Sequence, residues 1–128
     1  MSGNHADTEN TTITNSGSIY STGANTNTII FDANSTGHSI VNNTGGEIYA
    51  EGTGDTIKLG ASSTLTNSGT IKTGSISSNA INATGSNNTI KLKDDGKVIG
   101  IISSKISVFF QLGLFFLNRF TIIYYSIH

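Results

Sequence analysis

The side chains that could do chemistry in this sequence are few and scattered. His5, His38 and His128 stand in no local cluster with Asp or Glu, so each reads as a surface histidine and not as a metal ligand. Asp94 and Asp95 are adjacent, and successive side chains on a strand point to opposite faces. They suit the polarity of a turn better than the paired carboxylates of glycoside hydrolysis. Gly52-Thr53-Gly54-Asp55-Thr56-Ile57 has the flavour of a calcium-binding nonapeptide, but it occurs once and one residue short. Ca²⁺ takes six or more oxygens, so a glycine turn entering a strand is the simpler reading. The absence of cysteine excludes disulfides, thiolate zinc sites and a cysteine nucleophile. Lys58, Lys72 and Lys91 recur, yet no carboxylates recur beside them to complete an acid/base site. No catalytic residue, metal or cofactor is therefore expected, and an enzyme is not expected. Asn-X-Ser/Thr matches at positions 10, 34, 42, 82 and 87 follow from composition in a chain this rich in Asn and Thr.

What does stand out is repetition. Leu65-Thr66-Asn67-Ser68-Gly69-Thr70-Ile71 is preceded by Thr14-Asn15-Ser16-Gly17-Ser18-Ile19. A looser copy is Val41-Asn42-Asn43-Thr44-Gly45-Gly46-Glu47-Ile48, with one extra residue. The glycines at 17, 45 and 69 give a period of roughly 25 residues, in the range of stacked repeats. A second phrase follows the first: Asn27-Thr28-Ile29-Ile30-Phe31, Asp55-Thr56-Ile57-Lys58-Leu59 and Asn88-Thr89-Ile90-Lys91-Leu92. Ser39-Ile40 and Ala80-Ile81 are weaker echoes. Each phrase is short, β-branched and bounded by Gly, Asn or Ser, as strands with tight turns are. No 3.6-residue apolar stripe survives these clusters.

Aligned on one another, the copies predict three buried columns: Ile19, Ile48 and Ile71; Ile29, Ile57 and Ile90; Phe31, Leu59 and Leu92. Residues two apart on a strand share a face, so all three can point inward. The alternate residues Tyr20, Tyr49 and Lys72, and Ile30, Lys58 and Lys91, then point outward. The expected fold is all-β: a right-handed parallel β-helix, or β-solenoid, of about three to four coils paired about 4.8 Å apart. The lack of proline fits ladders that need every backbone N–H. Gly, Ser, Thr and Asn make up about half the chain, a composition that also suits disorder. The matched offsets of the isoleucines argue against that for residues 13–102. Residues 1–12 read as a disordered start, and the extra length between Ile71 and Ile81 as a loop. Stacked asparagines can bond along a turn and tolerate left-handed dihedrals.

From residue 103 the text changes. Five of the six Phe and two of the four Tyr lie in 103–128, and no acidic residue follows Asp95. Three readings compete for this tail. Ile106–Ile127 approaches the 20 or so residues of a membrane-spanning helix, although Gln111, Asn118 and Arg119 count against it. It could also be a hydrophobic cap over the open end of the solenoid. The third reading, favoured for its origin, is an out-of-frame tail after truncation. The net charge of −1 suggests no nucleic-acid partner.

The phrase at 65–71, followed by Ala80-Ile81-Asn82 and Asn88-Thr89-Ile90-Lys91-Leu92, resembles the passenger regions of bacterial autotransporter adhesins. In repeat terms the resemblance covers residues 13–102. It implies a right-handed β-helix passenger, display at the bacterial cell surface or outer membrane, and contact with a host-cell or matrix surface. That family carries a signal peptide and a C-terminal β-barrel. Residues 1–12 show neither the basic nor the apolar region of a signal peptide, so the chain as written is expected to be cytoplasmic or membrane-associated. Three functions are carried forward. The first is a structural or adhesive, non-catalytic passenger fragment whose contact surface includes Tyr20, Tyr49, Lys58, Lys72 and Lys91. The second is a degenerate truncated product with a membrane-inserting tail. The third is a carbohydrate-active β-helix.

Overall fold

The computed structural model describes residues 9–93 and 95–104 in full, and the backbone of short strands at 2–3, 108–110, 121–122 and 126–127. In chain order the strands are β1 (Ser2–Gly3), β2 (Thr12–Asn15), β3 (Ser18–Ser21), β4 (Ile29–Phe31), β5 (Ser39–Asn42), β6 (Glu47–Ala50), β7 (Ile57–Lys58) and β8 (Thr64–Asn67). They continue as β9 (Thr70–Lys72), β10 (Asn79–Ala83), β11 (Thr89–Leu92), β12 (Lys97–Ile99), β13 (Ile101–Ser104), β14 (Val108–Phe110), β15 (Thr121–Ile122) and β16 (Ser126–Ile127). Every strand pairs in parallel with the strand three places further on. Sheet I is β2-β5-β8-β11-β14, sheet II is β3-β6-β9-β12-β15, and sheet III is β1-β4-β7-β10-β13-β16. The chain thus visits three sheets in rotation, a β-solenoid of about four turns with no helix among the described residues.

The pleat turns one side chain in and the next out, and burial follows it: β5, β6, β8 and β11 each alternate half-buried and buried. Inside, aliphatic columns stack in register. Sheet II carries Ile19, Ile48, Ile71 and Val98. Sheet III carries Ile29, Ile57, Ile81 and Ile102. Sheet I carries Ile13, Ile40, Leu65 and Ile90. Together they form one continuous core. A single coil could not bury its own apolar side chains; its neighbours above and below complete them.

Two of the predicted columns need correction. Ile90 lies over Leu65 in sheet I and not over Ile57, whose successor is Ile81. Leu92 lies over Asn67, while Phe31 and Leu59 remain in and beside sheet III, where the Leu59 N–H bonds the Asn82 carbonyl. The glycine alignment also shifts by one. Gly17, Gly46 and Gly69 share a position, each carbonyl accepting an N–H from the next coil, and Thr44 and Gly45 are the inserted pair.

The turn from sheet III into sheet I is made the same way in four successive coils. Asn10, Gly37, Ser62 and Asn87 have φ of 56°, 78°, 51° and 60°, and the first three N–H groups bond to the carbonyls of Thr36, Ala61 and Ser86. A left-handed residue reverses the chain in one step, and Gly and Asn are the types that sit there at small cost, with Ser62 the costlier member of the column. The extra residues between β9 and β10 form an exposed loop, with Ile76 pointing to solvent, and a bulge at the start of β10 turns both Ala80 and Ile81 inward.

At the two ends, the described backbone extends the ladders. β1 pairs with β4, and Glu9 bridges Thr36, within the stretch expected to be a disordered start. In the tail, where a helix was entertained for Ile106–Ile127, β14, β15 and β16 each add a parallel strand. Val, Phe, Ile and Thr favour strand, and an open sheet edge offers such a segment ready partners. No helix among the described residues is long and apolar enough to cross a membrane. The rest of the tail lies outside the described residues, as do His5, Asp94 and His128.

Candidate contact strip and internal polar ladders

The outward residues of sheet II make one continuous strip. Tyr20 and Tyr49 are directly paired across β3 and β6, with ring centroids 5.2 Å apart and planes 7° from parallel. Lys72 follows on β9, its Nζ 5.0 Å from the Tyr49 centroid and 3.7 Å from the Glu47 carboxylate. Stacking of the two rings is enforced by the ladder, since directly opposed residues in adjacent parallel strands cannot avoid one another. Half-burial raises the Tyr49 phenol above its usual pKa of 10.0, and the neighbouring Tyr20, Glu51 and Glu47 push the same way. It therefore stays a neutral hydroxyl at physiological pH. The Lys72–Glu47 pair is solvent-exposed and adds little to stability.

The other two lysines named from sequence are elsewhere. Lys58 is on the outer face of sheet III, between Ile30 and Asn82. Lys91 is on the outer face of sheet I, beside Thr66. The five candidate residues thus divide among three faces, and only Tyr20, Tyr49 and Lys72 come together. Lys58 belongs to the second phrase and so to sheet III, apart from the tyrosines, while Lys91 moves for the same reason as Ile90 and Leu92: the third copy of that phrase belongs to sheet I.

Inside, two polar ladders run along the stack. Asn15, Asn42 and Asn67 occupy one inward column of sheet I, and Asn42 and Asn67 are fully buried. The Asn15 amide Nδ2 donates to Asn42 Oδ1 at 2.9 Å, and Asn42 Nδ2 donates to Asn67 Oδ1 at 2.9 Å. Asn67 Nδ2 ends the row on the Lys97 carbonyl at 3.0 Å. The same amides hold the turn after the strand: Asn42 Nδ2 reaches the Gly46 and Thr70 carbonyls, and Asn67 Oδ1 accepts the Gly69 N–H. This is the physical content of the Asn-X-Gly repeat, and it places the Asn42 glycosylation match beyond reach of solvent.

The second ladder precedes sheet I, at Thr11, His38, Ser63 and Asn88. Each backbone N–H is capped by the side chain one coil on: Thr11 N–H to His38 Nδ1 at 3.3 Å, His38 N–H to Ser63 Oγ at 3.0 Å, Ser63 N–H to Asn88 Oδ1 at 2.9 Å. His38 is 1% exposed and its ring lies flat on Phe31, with centroids 3.8 Å apart. Its Nε2 has no hydrogen-bond partner. Burial lowers its pKa from the usual 6.5, against an opposing pull from the Glu9 charge. His38 is therefore an interior residue and not the surface histidine expected. The clue in the sequence is its place, one residue before a strand in the position that Ser63 and Asn88 fill in later coils.

Asp55, in the single calcium-like stretch, is held by amides: Asn79 Nδ2 at 3.1 Å and Asn82 Nδ2 at 2.8 Å bind its two oxygens. No group of three or more His, Asp or Glu gathers among the described residues, and no cavity opens among them. Asp95 sits in a left-handed turn at φ 67°. No family model, curated protein or solved structure matches this chain.

Proposed function

We propose that this chain is a structural and adhesive, non-catalytic segment of the kind that autotransporter passengers display, and that the Tyr20–Tyr49–Lys72 strip is its contact surface. The observation that carries this reading is the strip itself. Two stacked rings and an ammonium line one outward column of sheet II, with Tyr20 54% exposed. Tyrosine offers large contact area at low entropic cost together with a hydroxyl, which is why it is enriched where proteins bind. The resemblance of residues 65–71, 80–82 and 88–92 to passenger repeats supports a host-cell or matrix surface as the partner. The test is retention of the purified chain on matrix-coated and cell-coated surfaces. Tyr20→Ser/Tyr49→Ser should lose at least about tenfold in retention, the scale of a lost aromatic anchor, while Lys91→Ser on another face should bind as the parent does. Equal retention of all three proteins would overturn the assignment.

A further inference from the structure

Among the described residues, no strand pairs with the outer edges of β2 and β3. β2 ends sheet I and β3 ends sheet II. The Thr11 and Asn15 carbonyls accept N–H groups from the β5 side, and the Gly17 and Ser21 carbonyls accept from the β6 side. Since N–H and C=O directions alternate along a strand, Thr12 and Thr14, and Ser18 and Tyr20, aim theirs at the open edge. Natural edges of this kind are usually blunted by charge, proline or a bulge. Here β2 reads Thr-Ile-Thr-Asn and β3 reads Ser-Ile-Tyr-Ser, with none of these.

The opposite ends of the same sheets are β14 and β15, which read Val-Phe-Phe and Thr-Ile and are equally uncharged. Their register fits the rim. Val108 continues the column of Ile90, and Ile122 continues that of Val98. These are the columns that begin at Ile13 and Ile19. Laid on the rim of a second molecule, β14 and β15 would therefore set Val108 over Ile13 and Ile122 over Ile19.

We infer that copies of this chain join head to tail, the β14/β15 end of one extending sheets I and II of the next at β2 and β3. The two contacting surfaces differ, so the contact does not close on itself and yields filaments. The experiment is sedimentation of the full chain across a concentration series, with fibre diffraction of the product. The parent should at least about double its weight-average mass and give a reflection near 4.8 Å along the filament axis. Thr14→Lys/Ser18→Lys places one charge on each rim strand at exposed positions and should remain monomeric. Ser77→Lys, in the loop before β10, adds charge away from the rim and should assemble as the parent does. Hydrogen exchange gives a readout independent of the variants: the Thr12, Thr14, Ser18 and Tyr20 amides should exchange freely in the monomer and become protected on assembly. A parent that stays monomeric, a rim variant that assembles normally, or rim amides that remain unprotected in the assembled material would each overturn the inference. The last two would point to association that bypasses the β2/β3 rim.

Discussion

Replacing Asn42 with alanine tests the internal amide row at its most connected member. Asn42 is fully buried. It accepts one hydrogen bond from Asn15 and donates to Asn67, Gly46 and Thr70, at distances of 2.9 to 3.2 Å. Its neighbours are not left bare when it goes. Asn15 Nδ2 keeps the Gly17 and Glu47 carbonyls, and Asn67 Oδ1 keeps the Gly69 N–H. The loss is therefore two to three net hydrogen bonds at about 1 kcal/mol each, plus a small cavity, or about 3 kcal/mol in total. That is a large part of the stability of a small domain. Asn42→Leu separates the two terms, because the column itself carries a leucine at Leu92. It refills the volume, loses only the polar part, and should cost about 2 to 3 kcal/mol, less than alanine by the cavity contribution. Urea unfolding followed by circular dichroism would measure both changes through the midpoint at constant slope. An Asn42→Ala protein within about 0.5 kcal/mol of the parent would refute the claim that the amide row holds the coils together.

Two further outcomes follow from the left-handed corner and the buried imidazole. Because the folded-state pKa of His38 is lowered, the unfolded chain binds the proton more readily. Stability is thus present above the usual value of 6.5 and is lost as pH falls through it toward the folded value. His38→Phe keeps a flat ring against Phe31 and removes the titration, so the difference in urea midpoint between pH 7 and pH 5 should shrink relative to the parent; an unchanged difference would exclude His38 as its source. At the corner, Ser62→Gly relieves a side chain held at φ 51° and should stabilise by up to about 1 kcal/mol in thermal unfolding. Gly37→Ala in the coil before should do the reverse, because its Cβ would strike the Asn10 side-chain oxygen at a φ of 78°.

The sheet II column was legible because its phrase is anchored by a feature unique to one corner. An inward Asn and a following Gly set the turn, and Ile19, Ile48 and Ile71 each come two residues after that glycine, at Gly17, Gly46 and Gly69. The second phrase misled because two different corners favour the same text. Asp55-Thr56-Ile57-Lys58-Leu59 enters sheet III, where Thr56 Oγ1 closes the corner on the Lys72 carbonyl. Asn88-Thr89-Ile90-Lys91-Leu92 enters sheet I, where Asn88 closes the corner on Ser63 and Gly60. Both need a buried polar residue and then an inward aliphatic. Local pattern cannot separate them; only the count of coils can, and Ala80-Ile81 had to be given full rank as the sheet III strand for that count to come right. The left-handed column was invisible for another reason. Asn10, Gly37, Ser62 and Asn87 share a backbone angle and no side-chain property. The Tyr20–Tyr49–Lys72 strip was readable as an outward column; Ile30 and Lys58 stay together on sheet III as a separate column, and only Lys91 changed sheet with the misassigned third copy.

The amide row of sheet I also has a sense. From Asn15 to Asn67 every NH2 donates toward the later coil, and the Asn42 and Asn67 oxygens accept from the earlier one, so the small dipoles add along the axis. A turn inserted backwards would set donor against donor. Such a scaffold can be lengthened or shortened by whole windings without disturbing this order, but not by fractions of one. Duplication and loss of complete units are accordingly the changes in length that its interior accepts.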